Sequence, residues 1–166
     1  MIYSEQSDTG NQMRSYVILV LFASCALNTD ADISVNYMLS RQAAIHAWGE
    51  VYGSVNPICV RYAKLYEVHE RDNVGRFCVH DTATGCTDTG TLMMWIKYRE
   101  KPDGDPDVVA MLKTGVHEYI HVIGLCQRLQ PDGGHNRKRS WSSPDSVLEI
   151  GQRNVIELYD RYLSDM

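Results

Sequence analysis

The chain has 166 residues, of which 44% are hydrophobic and 22% are charged. A chain of this length can form one domain that buries a hydrophobic core. Its hydrophobic fraction excludes an extended disordered protein. The formal net charge of -5 argues against a general nucleic-acid binder, which needs a basic face. We therefore expect a single domain with no nucleic-acid partner, acting as a monomer.

The N-terminal segment indicates an export signal. A single Arg14 precedes the short apolar run VILVLFA, which ends in small residues. A positive charge before such a run is typical of a secretory signal peptide. The polar residues before Met13 would be explained by a true start at Met13. The sequence FASC, ending at Cys25, resembles a bacterial lipobox, in which the cysteine is lipidated after cleavage.

These features predict a leader over residues 1–25 and one catalytic domain over residues 26–166. The protein would then be secreted, or anchored at the cell envelope through lipidated Cys25. An alternative interpretation makes the apolar run a buried β-strand, because its residues are also strand formers. In that case the protein would be cytoplasmic.

The middle of the chain predicts one helix and three strands. Residues 38–52 place small and apolar side chains on one helical face, and Gly53 ends this helix. Residues 58–68 alternate in part and are rich in Val, Tyr and Ile, which predicts a strand. Residues 74–80 and 91–98 are further strand candidates, separated by a loop rich in Gly, Thr and Asp.

The remainder of the chain predicts two helices. The first covers residues 106–123, with Asp105 as its N-cap and Gly124 placed to end it. After a long polar loop, residues 147–163 predict a final helix. The predicted order of elements indicates an α+β fold: a helix, several strands, a helix, a loop and a final helix.

The mature domain contains four cysteines once Cys25 is assigned to the leader. An even number in an exported domain permits two disulfides. Cys78 and Cys86 flank a turn-forming loop and could join a hairpin. Cys59 and Cys126 would then form the second pair. Four reduced, buried thiols are the alternative interpretation.

The helix predicted over residues 106–123 carries His117-Glu118-Tyr119-Ile120-His121, which matches the pattern HExxH. Residues four apart share one helical face, so both imidazoles can bind one metal ion. Zinc with three protein ligands keeps one position for water, and Glu118 can take a proton from that water. The pattern therefore predicts a zinc hydrolase with ligands His117 and His121 and catalytic base Glu118.

The third zinc ligand has three candidates. The segment HEYIHVIGLCQ resembles the metzincin pattern HExxHxxGxxH as far as Gly124, but Gln127 stands where that family has its third histidine. A longer loop could bring His135 to the metal instead, and we favour this residue. Gln127 or a water could also take the position, or Glu149 could, as in gluzincins.

The segment SSPDSVL, ending at Leu148, resembles the approach to the Met-turn of matrixin-like metzincins, with Leu148 in place of the methionine. The resemblance covers about residues 34–163. It implies a metzincin-like fold with a twisted mixed sheet, a backing helix, an active-site helix and a C-terminal helix. It also implies a zinc-dependent endopeptidase acting on peptide or protein substrates. Residues 91–95 are a candidate edge strand that could pair with an extended substrate, and a plain sheet strand is the equal alternative.

The departures at Gln127 and Leu148 motivate an alternative function. The chain could be a catalytically inactive metzincin-like domain that binds zinc or a protein partner. The presence of Glu118 counts against this alternative, because a degenerate site commonly loses its base.

Overall fold

The computed structural model describes residues 35–78, 82–128 and 146–166. The predicted leader with Cys25 and the favoured third ligand His135 lie outside these residues. Within them the chain forms helices and strands in the order α1 (Tyr37–Tyr52), α2 (Pro57–Ala63), β1 (Glu67–Arg71), β2 (Gly85–Asp88), β3 (Met93–Lys97), α3 (Val108–Cys126) and α4 (Val147–Ser164). The predicted α+β class is confirmed.

The three described strands form a mixed sheet in the order β1-β3-β2. Strand β3 runs parallel to β1, with Met94 opposite Val68, and antiparallel to β2, with Trp95 opposite Cys86. Of the two interpretations of residues 91–95, the plain sheet strand is confirmed and the edge strand is wrong, because β3 has a hydrogen-bonded neighbour on each side. Strand β2 is an edge of this sheet instead.

The core lies between the sheet and the three long helices. Met94 and Ile96 of β3 are fully buried on the helical face, whereas Trp95 points the other way and stacks on Phe77 at 5.1 Å between ring centroids. The α1–α3 crossing is close, because a Cβ on Gly115 would lie 2.7 Å from the Ser40 hydroxyl oxygen. The Ser40 hydroxyl donates to the Leu112 carbonyl at 2.8 Å, which satisfies this buried polar group.

Helix α2 occupies most of the segment that was predicted as a strand, so that prediction is wrong for Pro57–Ala63. The Asn56 side chain accepts a hydrogen bond from the Ile58 amide at 2.9 Å, and Pro57 stands in the first turn. Both features start helices. Buried Cys59 and Ala63 then fix one face of α2 in the domain.

The second strand also lies elsewhere than predicted. The described part of residues 74–80 is a turn, in which the Phe77 amide donates to the Val74 carbonyl at 2.8 Å. Strand β2 instead comes from the loop rich in Gly, Thr and Asp. The prediction for residues 91–98 is confirmed as β3, within a residue or two at each end.

The boundaries of α3 differ from the prediction at both ends. Its N-cap is Asp107 rather than Asp105, and the Asp107 carboxylate accepts from the Ala110 amide at 3.1 Å. The carbonyl of Asp105 accepts from the Lys101 amide at 2.8 Å, within the preceding turn. Gly124 does not end the helix: it is buried, and α3 continues to Cys126. None of the described helices has the length and apolar character needed to cross a membrane.

Both predicted disulfides are confirmed. Cys59 of α2 is bonded to Cys126 at the end of α3, with 5.6 Å between their Cα atoms. Cys78 of the turn is bonded to Cys86 of β2, with 5.7 Å between their Cα atoms. The first bond fixes the C-terminal end of α3, and the second attaches β2 to the turn that covers Trp95.

Candidate metal and active site

The two histidines of α3 converge on one point. His117 and His121 lie on successive turns, and their Nε2 atoms are 3.0 Å apart. Two nitrogen ligands of a tetrahedral zinc ion lie about 3.4 Å apart, as follows from bond lengths near 2.1 Å. The two nitrogens lie at hydrogen-bond distance, about 0.4 Å closer than this ligand spacing, so the imidazoles would have to separate slightly to bind a single metal ion.

Glu118 is a buried carboxyl group beside this pair, with only 5% of its surface exposed. Burial raises the pKa of Glu118 to about 7, and a hydrogen bond from Thr87 acts in the opposite direction. The Thr87 hydroxyl donates this bond to Glu118 Oε2 at 2.8 Å. A carboxyl group with a pKa near neutrality can both accept and return a proton at physiological pH.

Strand β2 lies directly against the catalytic face of α3. A Cβ on Gly85 would lie 2.8 Å from Thr114 Cγ2 and 3.1 Å from Glu118 Oε1. Glycine at this position therefore permits the close approach that brings Thr87 to Glu118. Neither Gly85 nor Thr87 was identified from the sequence, because both were assigned to a loop. A Gly-containing connection of four residues between GCTD and MMWIK was the available hairpin signal.

A cleft of about 530 Å³ opens between β2 and α3. One wall consists of residues 82–87, and the other carries His117, Glu118, His121 and Leu125. Leu125 is 40% exposed and adds an apolar surface to this wall. The cleft therefore combines a strand edge, an apolar contact and the HExxH side chains.

Of the two described candidates for the third ligand, Gln127 has a hydrogen-bond partner outside the HExxH motif. The Gln127 side-chain oxygen accepts a hydrogen bond from the Asn56 amide at 3.1 Å, which directs it toward the start of α2. Glu149 is exposed in the first turn of α4. Over the described ranges, no three His, Cys, Asp or Glu side chains form a group that could hold a metal ion. The predicted third ligand His135 lies outside these ranges.

We predict that Gly85→Val disrupts the site without unfolding the domain. The valine side chain would collide with Thr114 and Glu118 and push β2 away from α3, so that Thr87 loses its bond to Glu118. For the hydrolysis that the HExxH pattern predicts, we expect the rate to fall by about tenfold or more, since small displacements of positioned groups are costly. Gly90→Ala in the following turn is the matched control, measured by the same kinetics and by circular dichroism. Unchanged activity in Gly85→Val would contradict this role.

No protein-family model, no curated protein and no solved structure matches this chain.

Proposed function

We propose that this protein is a zinc-dependent endopeptidase with a metzincin-like fold. The observation that carries the proposal is the convergence of the His117 and His121 Nε2 atoms beside a buried Glu118, in a cleft bounded by a strand edge. This donor set fits zinc, which favours imidazole ligands. The mixed sheet, the HExxH helix α3 and the C-terminal helix α4 are elements that the resemblance implies, whereas α1 packs on α3 and α4 rather than on the sheet.

The zinc ion would be held by His117 and His121, with His135 as the third ligand. When bound, zinc would supply Lewis-acid chemistry by acidifying a water and polarising the carbonyl of the scissile bond. The helix fixes the spacing of the first two ligands before the ion arrives. Little reorganisation of these side chains is then needed on binding.

Glu118 would act as the general base. Thr87 holds Oε2 of the carboxylate at 2.8 Å, so Oε1 is the oxygen we expect to take the proton of the attacking water. The same oxygen would then pass this proton to the leaving amine. Burial keeps the pKa of Glu118 near neutrality, which suits both transfers.

An extended peptide would bind along the outer edge of β2. This strand has β3 on one side, and its residues line the cleft on the other. Added strands gain affinity from main-chain hydrogen bonds, so an edge strand beside the catalytic groups suits a peptide or protein substrate. The edge role that was predicted for residues 91–95 therefore belongs to β2 in this proposal.

Export of the protein is part of the same proposal. The two disulfides, Cys59–Cys126 and Cys78–Cys86, suit an oxidising compartment. They support the secretion or lipid anchoring through Cys25 that the N-terminal segment predicts.

The proposal is tested with the purified full chain, zinc and denatured casein. We expect one zinc ion per chain by elemental analysis and cleavage fragments by mass spectrometry. Removal of zinc with 1,10-phenanthroline should stop cleavage, and added zinc should restore it. One zinc per chain without cleavage of any denatured protein, whether or not Glu118 is replaced by Ala, would instead support the inactive binding domain.

A further inference from the structure

A second, smaller cavity adjoins the catalytic cleft. It has a volume of about 250 Å³ and shares Thr84 and His117 with the cleft. Its other lining residues come from the turn after β3, the first half of α3 and helix α4: Arg99, Ala110, Lys113, Thr114 and Gln152. A group in this cavity would therefore lie close to the bond that is cleaved in the main cleft.

The lining of this cavity is cationic. Lys113 stands one turn before His117 on α3, so its side chain lies on the same helical face. The Arg99 carbonyl accepts from the Asp107 amide at 2.8 Å, which fixes the Arg99 backbone beside the start of α3. Among the described residues that line the cavity there is no Asp or Glu.

The two cations have no described acidic partner. Among residues 35–78, 82–128 and 146–166, the ion pairs join His46 to Glu50 and His69 to Glu67, far along the chain from this cavity. Arg99 is exposed, whereas Lys113 is half-buried. The two cations of the described lining favour an anionic group as the occupant.

We infer that this cavity is a subsite that accepts a carboxylate of the peptide substrate next to the scissile bond. The inference rests on the proposed function for the position of the substrate. The planar guanidinium of Arg99 can bind both carboxylate oxygens, and Lys113 adds a point charge. The half-buried side-chain amide of Gln152 offers a further donor. The carboxylate can come from an Asp or Glu side chain or from the C-terminus of the substrate.

The experiment compares three alanine-rich peptides. The first is a decapeptide with a central Glu and an amidated C-terminus, and the second has Gln in place of this Glu. The third is the Gln peptide shortened so that it ends in a free C-terminus two residues after the Gln. The kcat/KM of each peptide is measured from its cleavage by the zinc-loaded full chain. The affinity of each peptide for the full-chain Glu118→Gln variant is measured by fluorescence anisotropy. We expect the Glu peptide to exceed the amidated Gln peptide by about tenfold in both measurements, as for a charge-assisted hydrogen bond.

Charge reversal separates a direct contact from a structural effect. In Lys113→Glu the preference should turn toward a decapeptide with a central Lys, and Arg99→Glu should give the same change. The exposed Arg99 also provides a variant with little risk to folding. Lys64→Glu, an exposed cation at the end of α2, is the matched control and should keep the preference for Glu.

Each outcome decides between the two proposals. Cleavage with equal kcat/KM for the Glu and amidated Gln peptides would overturn the subsite and leave the peptidase standing. Absence of cleavage, with tighter binding of the Glu peptide that reverses in Lys113→Glu, would remove the peptidase and keep the subsite. A preference for the free C-terminus over the internal Glu would assign the carboxylate to the end of the substrate. Equal binding of all three peptides would overturn the inference.

Discussion

Replacement of Glu118 by Gln is expected to lower kcat/KM for peptide cleavage by about 10²–10⁴-fold, the usual contribution of a general base. Glutamine has nearly the same volume and can still accept the hydrogen bond from Thr87, so the packing between β2 and α3 should persist. It cannot take a proton from water. The loss should therefore appear in kcat, with one zinc ion still bound per chain.

The control for this variant is Glu157→Gln, which changes the same functional group on the exposed side of α4. It should cleave peptides at the rate of the unchanged protein. Thermal unfolding of both variants, followed by circular dichroism, verifies that the fold is retained. If Glu118→Gln kept full activity, Glu118 would not be the base and the proposed mechanism would fail.

The second large effect concerns the metal. His117→Ala and His121→Ala should each abolish stoichiometric zinc binding, because two neighbouring ligands on α3 are the part of the site that the helix preorganises. Zinc at about a thousand times its dissociation constant should stabilise the unchanged protein by about 4 kcal/mol, since it binds only the folded state. This shift in the melting temperature should vanish in both variants and on addition of a chelator.

His46→Ala is the matched control, because His46 is an exposed histidine on α1 that pairs with Glu50 at 2.8 Å. It should keep both the bound zinc and the thermal shift.

The third ligand is identified in the same assay. His135→Ala should lower zinc affinity by orders of magnitude, whereas Gln127→Ala should change it little. The reverse result would assign the third position to Gln127.

The helices that carry the site could be predicted because their apolar residues repeat at helical spacing over a long stretch. The segment around His117 and His121 has buried residues at three- and four-residue steps, and its prediction was accurate to a few residues at each end. The disulfide between Cys78 and Cys86 could also be predicted from a local pattern, since the two cysteines lie close in sequence around a turn.

Helix α2 could not be recognised from its composition. Residues 58–63, ICVRYA, include several strand formers, and propensity alone favours a strand. The helix forms because Asn56 and Pro57 start it and because its buried face is bonded to the end of α3 through Cys59. Such tertiary contacts override local preference in short segments.

The hydrogen bond between Thr87 and Glu118 could not be predicted from the sequence either. Thr87 and Glu118 are 31 residues apart, and no local pattern connects them. Strand β2 is short, contains Gly85 and has no alternation of apolar and polar residues, so it lacks the usual signature of a strand. Its position depends on pairing with β3 and on the space that Gly85 leaves beside α3.

The Cys59–Cys126 bond has a consequence for the integrity of the chain. It closes a covalent ring whose ends are 67 positions apart, and all the described side chains that line the cleft between β2 and α3 lie between them. A single backbone cut anywhere inside this ring leaves both fragments covalently attached. For a protein proposed to hydrolyse peptide bonds, a single autoproteolytic cleavage in this ring would therefore not separate His117 and His121 from strand β2. Such a nick would become visible on a denaturing gel only after the disulfides are reduced.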